Sequence, residues 1–303
     1  MTKQSSDWTA VKESGSLWQL KLMRFLALRA PAFIVDPLLW LIALVFALNL
    51  KRPTTAASAR YLTRALGREP SLMERQRHAL AFSHVLLDRV RLLSDGAEGF
   101  SITAQGQELV SDLVAQDQGA VLLGAHFGSF EALRAFDREL PGLFVRYLMY
   151  PEHAQKSTAL LSQLSPTLEE RVISLANGPM AMIKVFETLD DGGFVAILGD
   201  RLPDNTVRSK VSVTFFGGQI DVPTSPYLSA MAAKVPLITS FANWERKDCY
   251  AARFSLLYDG TPVPRAQRAQ YAQDLAQNYA SALEDMCRRD PYNWFNFFDI
   301  WNA

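Results

Sequence analysis

Four histidines occur in the 303 residues, and one of them, His126, has an acid, Glu131, five positions on. The other three meet Ser83, Arg89 and Thr158 at that distance. An imidazole within reach of a carboxylate suits general-base chemistry. The neutral ring takes a proton from an attacking hydroxyl, while the carboxylate fixes the ring's tautomer and stabilises the imidazolium that forms. Where the electrophile is a thioester, activation is already present. Holding the acceptor oxygen and the carbonyl beside the base then suffices, with no covalent intermediate. The spacing alone is weak: with acids at about one position in ten, four histidines give roughly a one in three chance of an accidental match.

Context strengthens it. Residues 120 to 140, AVLLGAHFGSFEALRAFDREL, read as a buried strand, a turn at His126, Phe127 and Gly128, and an amphipathic helix. Ligands of open α/β sheets bind at the carboxyl ends of strands, where this pattern puts His126, with Glu131 in the first helical turn or so. Gly128 and Ser129 are candidates for substrate contact: a glycine admits close approach to the backbone, and free N–H groups at a helix start can stabilise an oxyanion. The competing reading is a core histidine beside a surface glutamate.

A second turn of the same kind ends FVAILGDRLPDN, residues 194 to 205. Arg201 there is suited to clamp a phosphate and Asp200 to orient it, with Arg208 and Lys210 extending a positive rim. A solvated turn with a local ion pair fits equally. Residues 213 to 223, VTFFGGQIDVP, read as a hairpin that either lines an apolar groove or packs in the core. The C-terminal PYNWFNFFDIWNA is strongly aromatic and suits core packing or a lipid interface, with core packing favoured.

These turns need a scaffold, and the pattern supplies an α/β one. Strands are predicted over 120–125, 144–150, 171–175, 194–198, 237–242 and 251–258. Helices are predicted over 129–140, 153–164, 179–191, 224–233 and 265–289. A further helix is predicted over 71–93, opened by a Ser71–Glu74 capping box. It carries His78 and His84, which are six apart, face different ways and read as structural rather than as a shared metal site.

The N-terminal fifth is different. Residues 1–68 hold ten Lys or Arg against three acids, +7, and the rest hold 21 against 28, −7, so the formal net charge of zero conceals an asymmetry. The neutral total argues against a nucleic-acid partner. The apolar run 38–50, after a helix-initiating or kinking Asp36 and Pro37, rises only about 20 Å as a helix, short of a hydrocarbon core of roughly 30 Å. Flanking Lys21, Arg24, Arg29, Lys51 and Arg52 favour an interfacial or re-entrant anchor on anionic lipid over a buried core helix. The expected organisation is a membrane-association segment, 1–68, before one α/β domain, 69–303. The polar start of the chain does not read as a signal peptide, which makes a cytoplasmic active domain the expectation. Cys249 and Cys287 read as reduced thiols.

HFGSFE at 126–131, GDR at 199–201, FFGG at 215–218 followed by VPTSPYLSAMAAKVPLI, and YNWFNFFDIW near the C-terminus together resemble the bacterial lipid A biosynthesis acyltransferases. The chain looks closest to the LpxL-like members of the lysophospholipid acyltransferase superfamily, and the resemblance runs over most of its length. It implies a glycerolipid acyltransferase-like fold, a mixed sheet flanked by helices. It also implies an enzyme on the cytoplasmic face of a bacterial inner membrane. That enzyme moves an acyl group from acyl carrier protein or coenzyme A to a lipid or glycolipid, with no metal and no cofactor beyond the donor. His126 and Glu131 fall on the family's catalytic H-x4-D/E pair, Asp200 and Arg201 on its second motif, associated with substrate or donor binding, and Phe216 and Gly217 on its third.

Three rivals remain. A serine hydrolase lacks its G-x-S-x-G elbow here, and Ser129 follows His126 too closely to be a triad partner. A metal hydrolase on His126, Glu131 and Asp200 lacks a second histidine nearby. A non-catalytic membrane adaptor predicts a filled cleft and a replaceable His126.

Overall fold

The computed structural model describes residues 17–94, 99–133, 140–149, 170–202 and 209–301. Four helices come first: α1 (Leu17–Leu28), α2 (Ala32–Leu48), α3 (Pro53–Leu66) and α4 (Leu72–Ser94). Then follow β1 (Ser101–Gln105), α5 (Gln107–Ala115), β2 (Ala120–Gly124), α6 (Phe130–Leu133), β3 (Val145–Met149), β4 (Val172–Ser174), α7 (Pro179–Asp190) and β5 (Phe194–Leu198). The chain continues through β6 (Lys210–Phe215), β7 (Gly218–Pro223), α8 (Ser225–Ala233), β8 (Leu237–Arg246), β9 (Cys249–Tyr258) and α9 (Arg268–Arg289).

Seven strands form one mixed sheet in the order β1-β9-β8-β2-β5-β3-β4, in which only β8 and β9 pair antiparallel; β6 and β7 form a separate hairpin. The α/β class is as expected. The central strands β2 and β5 are apolar throughout because both faces are covered. Val121, Leu123, Val195 and Ile197 point to a core shared with α3, α7, α8, α9 and the hairpin. Ala120, Leu122, Phe194 and Ala196 point to a second core under α4, α5 and α6.

The six predicted strands are all present, and β8 runs four residues beyond its predicted end. Strand β1, SITAQ, and helix α5 lie outside the predicted elements: β1 is an edge strand in which exposed Ser101, Thr103 and Gln105 alternate with half-buried Ile102 and Ala104, without the continuous apolar run of the central strands. The predicted helix 153–164 and half of 129–140, residues 134–139, lie outside the described residues, as does Arg208. The Ser71–Glu74 capping box forms reciprocally, the Glu74 amide donating to Ser71 Oγ at 3.3 Å and the Ser71 amide to the Glu74 carboxylate at 2.8 Å.

Helix α2 starts after Pro31 and contains Pro37, so Asp36 and Pro37 do not initiate it. Val35, Leu39, Ala43 and Ala47 are buried, whereas Phe33 (76% exposed), Ile34, Trp40, Leu41, Ile42, Val45 and Leu48 form an exposed apolar face. Among the described residues no single helix is long and apolar enough to cross a membrane; α2 and α3, bent by 86° at their break, pass that test only together. Helix α3 belongs to the main core, with Tyr61 and Leu62 fully buried and Tyr61 Oη donating to the Pro291 carbonyl at 2.8 Å. The packing therefore does not divide at residue 68.

Candidate active site

β2 and β5 are adjacent, parallel and in register, with Gly124 opposite Leu198. Residues two beyond each strand are then neighbours at the sheet's carboxyl edge, and these are His126 and Asp200. Asp200 Oδ1 lies 2.8 Å from His126 Nδ1, and Oδ2 accepts from the His126 amide at 3.1 Å. The Trp294 indole N–H also donates to Oδ2, at 3.0 Å. Burial pushes the Asp200 carboxylate up, but His126, Arg201 and Trp294 outweigh it and hold the group well below the usual carboxylate range. An ionised carboxylate only accepts, so Nδ1 carries the ring proton and Nε2 presents a lone pair. Nε2 makes no hydrogen bond to the described residues, and the side chain is 34% exposed.

The imidazole pKa is lowered by burial first and the positive charge of Arg201 second, with Asp200 acting the other way. A base that is neutral at physiological pH, fixed in tautomer and open at Nε2 is what proton abstraction from a hydroxyl requires.

The carboxylate on the imidazole is thus Asp200, where Glu131 was expected to orient the ring. Glu131 leaves the first turn of α6 toward α4 and forms an ion pair with Arg89 Nε at 2.5 Å. The Arg89 charge is one of the smaller influences that lower the His126 pKa. Arg89 was not singled out in the sequence, since its partner lies on another element.

The turn itself is strapped down by the C-terminal segment. The Phe295 amide donates to the His126 carbonyl at 2.8 Å, and the Gly128 amide donates to the Asn293 carbonyl at 2.7 Å. Gly128 has φ +61°, and a Cβ there would lie 1.8 Å from the Ala242 carbonyl oxygen. The close approach that requires glycine is therefore made by β8 and not by a substrate. The Ser129 amide donates to the same Ala242 oxygen at 2.9 Å, and its buried hydroxyl accepts from the Ala132 amide at 3.1 Å as a helix cap. The Gly128 and Ser129 amides are consequently committed, which corrects the expectation of free oxyanion donors at these two positions.

Arg201 is turned toward the same segment. It donates to the Phe295 carbonyl at 2.7 Å and lies 4.9 Å over the Phe298 ring, while its Nε finds no partner among the described residues. Phe216 and Gly217 are the two residues of the β6–β7 turn, both at positive φ. Phe216 is buried against Tyr61 and Phe215, and Phe215 packs on Trp294 at 5.1 Å, so this motif supports the site from behind Trp294. Lys210 pairs with Asp221 at 2.5 Å. Of the aromatic tail, Trp294 and Phe295 are core, as favoured.

The model of one family, the bacterial lipid A biosynthesis acyltransferases, matches residues 31–302, nearly the whole chain. The chain belongs to that family. As a lipid A biosynthesis acyltransferase-like protein it is an O-acyltransferase, acting with an acyl donor on a lipid or glycolipid acceptor. Among curated proteins, none matches it. The family's match takes in the His126 turn, the GDR turn, the FFGG hairpin and the C-terminal aromatic strap, the four segments that meet at this site.

Proposed function

We propose that this acyltransferase moves a fatty acyl group from the thioester of acyl carrier protein or coenzyme A to a hydroxyl, or amine, of a lipid or glycolipid, with His126 as general base. The observation that carries the reading is the His126–Asp200 contact of 2.8 Å with Nε2 left open at a strand end. In the reaction Nε2 takes the acceptor's proton as its oxygen attacks the thioester carbonyl. Collapse of the tetrahedral adduct breaks the C–S bond, and the departing sulfur receives the proton from the imidazolium. Asp200 stabilises that imidazolium.

The exposed apolar face of α2, with Arg29, Lys51 and Arg52 at its ends, is suited to rest on anionic lipid as a peripheral or re-entrant anchor, at the cytoplasmic face of the inner membrane.

The test is transfer of a labelled acyl chain from its thioester to lipid in vesicles. His126→Ala is expected to lower the rate by on the order of 10³-fold while the protein stays folded. Undiminished transfer by that variant would remove His126 from the chemistry.

A further inference from the structure

We propose that Trp294 is a positioning residue for the reaction, its indole N–H fixing the Asp200 carboxylate that in turn fixes His126. This rests on the reading of His126 as the base.

Asp200 has two oxygens and, among the described residues, three donors: the His126 ring at Oδ1, and the His126 amide and the Trp294 indole at Oδ2. The two bonds from His126 move with the turn that carries it. The indole is the donor from outside that turn, so it sets where the carboxylate lies relative to the rest of the molecule. Its own place is over-determined. Trp294 is fully buried, with Tyr61 at 4.9 Å, Phe215 at 5.1 Å and Trp301 at 6.3 Å between ring centroids. Its backbone pairs antiparallel with Phe127, and its carbonyl accepts from His78 Nε2 at 2.9 Å. A side chain this fixed loses little freedom in making a directed hydrogen bond.

The chemistry of the donor matters as well. A second cation on Asp200 would pull down the basicity of His126, as Arg201 already does. An indole holds the carboxylate without adding a charge, so it weakens the carboxylate's effect on the imidazolium less than a second cation would. Among the described residues, the charged and titratable groups around the pair are Arg201 beside Asp200, Tyr279 and Cys287 of α9 facing Asp200, and Arg89 of α4, paired with Glu131, facing His126.

The experiment compares Trp294→Phe with Trp301→Phe, which removes an indole from the same aromatic cluster without touching Asp200; the Trp301 indole donates to the Phe215 carbonyl. A shape-preserving replacement of Trp294 by benzothienylalanine, which lacks the N–H, covers the case in which Trp294→Phe does not fold. Loss of the indole donor is expected to lower kcat about tenfold with KM unchanged. It leaves Asp200 more basic and better able to hold a proton on the imidazole, so the acid limb of the rate profile moves to higher pH. In an Asp200→Asn background the same change is expected to alter kcat less than about twofold, because Trp294 acts through Asp200. Trp301→Phe is expected to lower stability with kcat and pH profile unchanged. The proposal is overturned if removing the Trp294 N–H leaves kcat and the acid limb as in Trp301→Phe, or if its effect adds in full to that of Asp200→Asn. An active His126→Ala, measured alongside, would instead overturn the base assignment.

Discussion

His78 in the middle of α4 and His126 beyond the end of β2 are both tied to Trp294, and they differ in every respect that matters for chemistry. His78 is fully buried, with Nε2 bonded to the Trp294 carbonyl and Nδ1 2.8 Å from Ser58 Oγ. A carbonyl only accepts, so His78 carries its proton on Nε2, accepts from Ser58 at Nδ1, and has no nitrogen left for a substrate. It stacks on Phe297 at 5.0 Å. His126 carries its proton on the other nitrogen, faces a carboxylate in place of neutral oxygens, and keeps one nitrogen open. The same residue type is a strut in one place and a base in the other, and the partner's charge with the one open nitrogen makes the difference.

The sharpest way to break this contrast is to alter the carboxylate. Asp200→Asn is expected to lower acyl transfer by on the order of 10³-fold, since an amide can favour the wrong tautomer and cannot stabilise the imidazolium. Glu131→Gln, whose partner is Arg89, is expected to cost less than about tenfold. Equal losses in the two variants, measured as initial rates with a labelled thioester, would put Glu131 back beside the ring.

Next in size is an effect on stability. Burial pushes the His78 pKa down to about 4, against the pull of the Trp294 carbonyl, from an ordinary value of 6.5. Below pH 6.5 the unfolded chain takes up a proton that the folded protein refuses, so the contribution present above 6.5 is lost as pH falls toward 4. That loss is roughly 3 kcal/mol. Asp88, pushed up to about 6 chiefly by burial, acts with the opposite sign over part of that window. The useful quantity is therefore the gap in unfolding free energy between the wild type and His78→Gln. It is expected to shrink by roughly 3 kcal/mol between pH 6.5 and 4. A gap that stays constant with pH would show that His78 titrates as it does in the unfolded chain.

The smallest effect is at Ser58. Ser58→Ala removes the donor to His78 Nδ1 and is expected to cost about 1–2 kcal/mol of stability while leaving the transfer rate unchanged. A fall in rate as large as the fall in stability would mean that the two histidines are not separated as described.

The sequence makes the place of His126 readable because strand, turn and helix are local patterns, and the same holds for Asp200 at the end of β5. Their pairing is not local. It depends on β5 lying beside β2 while β3 and β4, which come between them in the chain, take the outer positions. Glu131 is near His126 in sequence, yet its direction is set by where Arg89 arrives on α4. Trp294 is harder still, for it reaches Asp200 only after α9 has crossed the sheet, and the run NWFNFF gives no sign of which aromatic residue carries the useful N–H. Gly128 shows the converse. Its type signals a close approach, but only the fold shows that the approaching group is Ala242.

The most direct test is the tautomer of His126, read from the ring-nitrogen NMR shifts of the labelled protein at neutral pH. The expected spectrum has a protonated Nδ1 and an unprotonated Nε2, lost in Asp200→Asn and kept in Glu131→Gln. A proton on Nε2 in the wild type, or a spectrum that responds to Glu131→Gln and ignores Asp200→Asn, would contradict the account.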